Sequence, residues 1–103
     1  MTENRYEVIP ENKVVELLQD MPQWSFAKPN ITAAYRFASF AQAAAFVTQV
    51  FLLAEELDHH PEFSFTHDTV TFFICTHDVG NAVTNIDIET AKRLDAIAQS
   101  FRK

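Results

Sequence analysis

The order of its apolar patterns constrains the fold of this chain most strongly, because two pairs of short alternating segments flank one long helical segment. Alternation places every second side chain on one face, which is typical of strands that are covered on one side. The first pair spans residues 24–26 and 31–37, on either side of a Lys-Pro-Asn turn. The second pair spans residues 62–66 and 69–77 and predicts a β-hairpin.

Three helical segments complete the pattern. The first is short and begins at Pro10, and the second follows Ser39, which can cap it, and runs to about Asp58. Thr84, with Asp87 three residues later, predicts the start of the last helix by a capping box. Paired strands that are separated by helices predict an α+β domain, in which an antiparallel sheet carries the helices on one face.

The central helix carries two neighbouring apolar stripes, which together are wider than the roughly 100° that one core contact needs. Both stripes could be buried within the same domain. We favour the alternative, in which one stripe packs on the chain's own sheet and the other on a second subunit. The first stripe consists of Phe46, Val50, Leu53 and Leu57, and the second of Val47, Phe51 and Ala54.

Composition excludes several functional classes. With 103 residues the chain is expected to form one domain over residues 1–103. Its net charge of −6, from 14 acidic and 8 basic residues, opposes direct binding to nucleic acid. The single cysteine, Cys75, cannot form an internal disulfide, which favours a reducing compartment and hence the cytoplasm. No apolar run approaches about 18 residues, so we expect no membrane span.

Three of the four histidines are predicted to meet at one end of the hairpin. If Asp68 and Thr69 form its two-residue turn, His77 lies opposite His60, although Asp-Thr is a weak turn signal that leaves room for a slip of one or two residues. His67 lies at the other end, about 23 Å away at 3.3 Å per residue, and is excluded from the site. Histidines grouped in this way suit proton transfer near neutral pH.

Each of these residues has a simpler interpretation. His59 and His60 could be exposed residues that are favourably placed at a helix C-terminus, and His77 could be a strand-end residue bonded to the backbone. Three imidazoles could also hold zinc, but adjacent residues at a helix end diverge and no metal-binding spacing is present. Cys75 is expected to be a buried structural thiol. Glu55, four residues before His59, can orient an imidazole.

The spacing of these residues resembles the pterin-4a-carbinolamine dehydratase family. An acidic residue four positions before a His-His-Pro sequence, with a third histidine after a hairpin, makes the resemblance specific. It weakens upstream but covers nearly the whole chain. The residues that carry it are residues 55–62 (EELDHHPE), residues 76–78 (THD), Thr84 to Asp87, Ala91, Pro22, Trp24, Phe37, Phe40 and Phe46.

The resemblance implies a four-stranded antiparallel sheet with three helices on one side, assembled into dimers or tetramers. It implies dehydration of 4a-hydroxytetrahydropterin without a metal or bound cofactor, with His59, His60 and His77 as the catalytic residues. Since the reaction needs an acid and a base, we expect His60 and His77 to transfer protons and His59 to orient the substrate. Further substrate-binding or orienting residues are expected to be Glu55, Pro61, Glu62, Phe63, Thr76, Asp78 and Asp87.

Two positions depart from the family pattern. Phe63 stands where tryptophan is usual, and His67 stands where tyrosine or tryptophan is usual. The loop between His77 and Asp87 is also one residue longer than in common members. Two alternatives therefore stay open: activity on another pterin, such as one of the molybdopterin type, or a non-enzymatic role in protein interaction.

Overall fold

The computed structural model describes residues 5–101, and it contains the predicted order of helices and strands. The helices are α1 (Glu11–Leu18), α2 (Phe40–Leu57) and α3 (Asn85–Ser100). The strands are β1 (Ser25–Ala27), β2 (Asn30–Arg36), β3 (Glu62–Thr66) and β4 (Thr69–Ile74). A short 3₁₀ turn (His77–Val79) follows β4. The predicted α-β-β-α-β-β-α arrangement is confirmed.

The four strands form one antiparallel sheet in the order β1-β2-β4-β3, so that β1 and β3 are its edges. Alternation along the two central strands decides which face is covered. On β2 and β4 every second residue is buried, whereas Ala34 and Phe73 on the opposite face are exposed. The helices cover the first of these faces, and its central residues are Ile31, Ala33, Tyr35, Val70, Phe72 and Ile74.

An aromatic cluster fills the space between the sheet and the helices. Phe72 is completely buried, and its ring centroid lies 5.6–6.1 Å from those of four neighbouring rings, at angles that are typical of favourable aromatic pairs. The polar atoms of the cluster are hydrogen-bonded: Trp24 Nε1 donates to the Tyr35 hydroxyl, which donates to Asp95 Oδ1, both at 2.8 Å. The four neighbouring rings belong to Trp24, Tyr35, Phe46 and Phe63.

The hairpin register differs from the prediction by two residues. Thr66 pairs with Thr69, so the turn consists of His67 and Asp68 rather than Asp68 and Thr69. His67 takes a positive φ of 56°, which allows the chain to reverse one residue earlier than expected. The predicted pairing of His60 with His77 is therefore wrong. Strand β4 also ends at Ile74 instead of continuing to residue 77, since the Thr76 backbone N–H donates to the Ala82 carbonyl.

The predicted division of α2 into two stripes is wrong in part. Val47 and Ala54, assigned to a second subunit, are each only 8% exposed and are buried within the domain. Phe51 remains 58% exposed, as does its neighbour Leu52 at 60%. Within residues 5–101, α2 alone is long and apolar enough to span a membrane by length and composition, with 18 residues and a mean hydropathy of 1.2. It packs against the sheet as the core helix of the domain.

Candidate active site

A cleft of about 220 Å³ opens where α2 ends and β4 passes into the 3₁₀ turn. His59 and His60 enter it from the end of the helix, and His77 enters from the turn. The structure therefore brings the three predicted histidines together, although by a different register. His67 lies at the tip of the hairpin, outside the lining. The lining consists of Tyr6, Asp58, His59, His60, Cys75, Thr76, His77 and Asp78.

The C-terminus of α2 sets the direction of the first histidine. Asp58 adopts the left-handed conformation, with φ 49° and ψ 46°, and the His59 backbone N–H donates to the carbonyl of Ala54. This arrangement ends a helix and turns the chain away from its axis. Glu55 and His59 consequently do not share a helix face as their spacing predicted. Glu55 instead lies near His60, with its Oε2 3.7 Å from His60 Nε2, and both side chains are largely exposed.

His59 is held by a buried carboxylate. Its Nε2 lies 2.8 Å from Oδ1 of Asp87, and the two side chains are 9% and 0% exposed. Its other ring nitrogen, Nδ1, has no hydrogen-bond partner within residues 5–101, yet it is not a buried unsatisfied atom. Since Nε2 is bound to Asp87, Nδ1 is the ring nitrogen of His59 that keeps contact with solvent, and His59 itself lines the cleft.

Asp87 occupies the first turn of α3, and its second oxygen is fully satisfied. Oδ2 accepts hydrogen bonds from the Thr84 backbone N–H at 2.8 Å and from the Thr76 hydroxyl at 2.8 Å. The Thr84 hydroxyl lies 2.8 Å from the Thr76 hydroxyl and completes the network. An ionised carboxylate only accepts hydrogen bonds, so His59 Nε2 carries the proton in this pair. The predicted capping box at Thr84 is confirmed. The Asp87 carboxylate thus caps α3 with one oxygen and holds His59 with the other.

His77 is positioned by the loop that follows it. Gly80 and Asn81 both have positive φ, 79° and 63°, which returns the chain towards the sheet. This return brings Asn81 Oδ1 within hydrogen-bond distance of His77 Nδ1. An amide oxygen only accepts, so Nδ1 of His77 carries a proton. One nitrogen of His77 is therefore held by the protein, while its ring stays exposed at the cleft.

The other predicted site residues divide between the cleft and its surroundings. Thr76 and Asp78 line the cleft, and Asp87 lies beneath His59. Glu62 is exposed at the start of the edge strand β3 and is outside the lining. The remaining three predicted residues line a separate apolar groove, which has His60 as its shared wall. That groove is formed by Val50, Phe51, Ala54, Glu55, His60, Pro61 and Phe63.

Sequence reasoning did not assign three of the lining residues, Tyr6, Asp58 and Cys75, to the site. Asp58 lies there because it ends α2 directly before the two histidines. Tyr6 comes from the N-terminal segment, where no spacing indicates a contact with residues more than fifty positions away. Cys75 was predicted to be a buried thiol, and it is 9% exposed beside the histidines. Burial raises the pKa of this thiol, and the negative charges of Asp87 and Glu62 raise the same pKa further. Among residues 5–101 no cluster of three potential metal ligands is present.

The cleft has imidazoles on two sides and a buried carboxylate beneath one of them, an arrangement that can support acid–base chemistry. Comparison with known proteins agrees with this chemistry. The family model for pterin 4 alpha carbinolamine dehydratase matches residues 7–97. The chain belongs to this family.

Relatives from several bacteria cover most of the chain. Proteins with the provisional name pterin-4-alpha-carbinolamine dehydratase are 41% identical in Bradyrhizobium sp. (strain ORS 278), over 82% of this chain and 85% of the relative, and 38% identical in Streptomyces coelicolor, over 89% and 91%. The crystal structure of a transcriptional coactivator/pterin dehydratase from Brucella melitensis has a TM-score of 0.84 and 34% identity, covering 89% of this chain and 99% of that one.

A more distant solved structure shows that the fold serves another role as well. It is described as a pterin dehydratase-like protein that acts as a RuBisCO assembly factor in the alpha-carboxysome. Its TM-score is 0.60 at 26% identity, covering 73% of this chain and 86% of that one. Membership of the family therefore does not by itself determine the activity of this chain.

Proposed function

We propose that this protein dehydrates 4a-hydroxytetrahydropterin to quinonoid dihydropterin and water, and so returns an oxidised pterin cofactor to its cycle. The observation that carries the proposal is the cleft itself, in which His59, His60 and His77 converge and Asp87 holds one of them. The capping box of α3 uses Oδ2 of Asp87, so the bond from Oδ1 to His59 is not required by the helix and is available to hold an imidazole for catalysis.

The reaction requires two proton transfers and no redox partner. The bond between C4a and the hydroxyl oxygen breaks while the N5–H bond gives up its proton, and a double bond forms between C4a and N5. The hydroxyl leaves as water only if it is protonated, so an acid and a base must both reach the substrate. One protonated and one neutral imidazole supply these two functions near neutral pH.

The contacts support a division of roles that differs from the sequence-based one. His59 and His77 each have one ring nitrogen held by a protein acceptor, Asp87 and Asn81, which leaves the other nitrogen of each for the substrate. His60 is held less tightly, since its Nε2 lies 3.7 Å from Oε2 of Glu55 and both side chains are largely exposed. Proton transfer demands fixed geometry, so we assign it to His59 and His77 and assign substrate binding to His60.

The residues around this pair complete the proposed site. Thr76 and Asp78 line the cleft, where they supply polar contacts to a pterin. The second groove, which shares His60 with the cleft, is mainly apolar and has Pro61 and Phe63 in its wall. Any contact of these two residues with the substrate would therefore be made beside the cleft, next to His60. Glu62 lies outside both and contributes to the negative charge around the site.

The test is turnover of chemically generated 4a-hydroxytetrahydropterin by the wild-type protein and four alanine variants. We expect His59→Ala and His77→Ala each to lower kcat roughly 100-fold or more, the usual contribution of a positioned acid or base. His60→Ala should instead raise KM. His67→Ala is the matched control and should leave both constants unchanged, because that residue lies at the hairpin tip. Wild-type kcat in His77→Ala would show that the assignment is wrong.

A second candidate role rests on the exposed apolar residues of α2. Phe40, Phe51 and Leu52 are 58–65% exposed, which is unusual for large apolar side chains on one helix. The RuBisCO assembly factor shows that a similar fold can act on another protein. This role predicts a stable complex with another protein and no dehydratase activity. The remaining alternative, activity on a different pterin, predicts that the chain binds that pterin and turns over a substrate of the biopterin type poorly.

The same exposed residues support self-association. We propose a homodimer or homotetramer in which Phe51 and Leu52 are covered by a second copy of the chain. We also propose a cytoplasmic location, because Cys75 is a buried cysteine without a disulfide and a reducing compartment keeps such a thiol reduced. Sedimentation of the wild-type protein and of a Phe51→Ser, Leu52→Ser double variant tests the assembly, since only the wild type should sediment as an oligomer.

A further inference from the structure

Residues 5–9, which we call the N-terminal strap, cross the molecule beside the histidine cleft and are tethered at both ends. Arg5 donates from Nη2 to the carbonyls of Leu57 and Asp58, at 2.8 and 2.9 Å, where α2 ends. At the other end the Ile9 N–H donates to the Val83 carbonyl at 2.9 Å. The strap is therefore bonded to the two segments that carry the site.

Asn85 holds the middle of the strap at the start of α3. Its side-chain Oδ1 accepts from the Glu7 backbone N–H at 2.7 Å, and its own backbone N–H donates to the Glu7 carbonyl at 3.1 Å. Its Nδ2 also donates to the Arg5 carbonyl at 3.3 Å. Asp87, two residues further along α3, holds His59. The strap and the catalytic imidazole thus share one rigid support.

Tyr6 is the residue that the strap delivers into the cleft. Its ring centroid lies 5.9 Å from that of His59, with the planes tilted by 54°, and the Arg5 guanidinium carbon lies 5.0 Å from the Tyr6 ring centroid. Apart from the imidazoles, Tyr6 is the aromatic residue in the cleft lining that the structure describes. A flat bicyclic ligand needs an aromatic or apolar surface against its face, while the imidazoles approach its reacting atoms.

We propose that Tyr6 is a substrate-positioning residue, whose ring packs on the pterin and fixes it against His59. This inference rests on the proposed function. It assigns to the N-terminal strap a direct part in the site, so that the strap determines which flat ligands are accepted. The contact belongs to the aromatic ring of Tyr6 and does not depend on its hydroxyl.

The test compares Tyr6→Ala, Tyr6→Phe and Val8→Ala. Tyr6→Ala should raise KM for 4a-hydroxytetrahydropterin roughly tenfold with a much smaller change in kcat, the size expected for the loss of an aromatic contact. Tyr6→Phe keeps the ring and should stay within about twofold of the wild type. Val8→Ala is the matched control, because Val8 lies on the same strap but outside the cleft lining.

Binding of 7,8-dihydropterin, measured by equilibrium dialysis, separates this inference from the proposed function. That compound has the flat ring system but no 4a-hydroxyl, so its Kd reports positioning without chemistry. A wild-type protein that binds it but does not dehydrate the substrate would overturn the proposed function alone. If Tyr6→Ala binds it as tightly as the wild type does, or if Tyr6→Phe loses as much as Tyr6→Ala, the role of Tyr6 is overturned.

Discussion

Phe72 and Asp87 are both completely buried, yet the regions around them are held together in opposite ways. Around Phe72 the neighbours are aromatic rings, and the interaction depends on filled volume and excluded water. Around Asp87 the interactions are directional hydrogen bonds, from two threonine hydroxyls, a backbone N–H and an imidazole. The first region stabilises the domain, and the second holds His59 in place at the cleft.

This difference follows from what burial costs each group. An apolar ring gains about 25 cal/mol for every Å² that it removes from water, whatever its exact neighbours are. A buried carboxylate loses its hydration, and it is tolerated only when specific partners replace the water. Within residues 5–101 no buried side-chain nitrogen or oxygen lacks a hydrogen-bond partner, so the network around Asp87 is complete. Substitution should therefore affect the two regions differently.

The largest change in stability is expected from Phe72→Ala. Removing a central ring from the aromatic cluster leaves a cavity and should lower the free energy of unfolding by about 3–5 kcal/mol. Urea unfolding measures this change. Because Phe72 does not line the histidine cleft, the folded fraction should keep the wild-type kcat.

Phe72→Leu is the control for that experiment, since it keeps much of the volume and should cost clearly less than the alanine variant. A loss below about 1 kcal/mol in Phe72→Ala would contradict the stabilising role of the aromatic cluster. A kcat that falls in the folded protein would mean that the core and the site are not separate.

Asp87→Asn should produce the largest change in activity and a smaller change in stability. An asparagine has one acceptor oxygen, so it cannot accept from both the Thr84 side and His59 Nε2, and its amide would favour the other tautomer of His59. We expect kcat to fall roughly 100-fold, with a loss of about 1–3 kcal/mol in stability from the imperfect network. Enzyme assays and urea unfolding on the same samples separate the two effects.

Asp95→Asn is the matched control on the same helix. Asp95 Oδ1 accepts from the Tyr35 hydroxyl at 2.8 Å, and asparagine retains an oxygen for that bond. Its kcat should stay within about twofold of the wild type. Equal losses of kcat in the two variants would show that the position of Asp87 beneath His59 has no special importance.

The two regions were also unequally predictable. Alternation along Val70, Phe72 and Ile74 indicated the buried face of the sheet, because a period of two is a property of the local backbone. The capping box at Thr84 and Asp87 was predictable because it too is local, formed by residues only three positions apart. The bond from Asp87 to His59 joins residues 28 positions apart, and no local pattern records it.

The meeting of the three histidines was predicted, but by a pairing that the hairpin does not have. The sequence offered only Asp-Thr as a turn signal, whereas the positive φ of His67 depends on the strands around it. The contact of Glu55 with His60 rather than His59 likewise follows from the left-handed Asp58, which a helical period cannot show. Tyr6 was missed because its position depends on tethers at Leu57 and Asn85, which are remote in the sequence.

The smallest expected effect concerns Cys75, which lies between the two regions. Burial raises the pKa of its thiol, and the charges of Asp87 and Glu62 add to that rise, so the folded protein favours the neutral thiol. Alkylation by iodoacetamide at pH 8 should therefore be at least severalfold slower in the folded protein than in urea. Because the unfolded chain loses the thiol proton at a lower pH, the free energy of unfolding should fall slightly above about pH 8.5.

Two variants show which region controls the thiol. Glu62→Gln removes an exposed charge and should speed alkylation of the folded protein slightly, because the pKa of Cys75 falls towards its usual value. Cys75→Ala should remove the alkaline loss of stability and leave the stability at pH 7 nearly unchanged. If folded and unfolded protein react equally fast, Cys75 is open to solvent. The polar network beneath the cleft would then not be sealed as the aromatic core is.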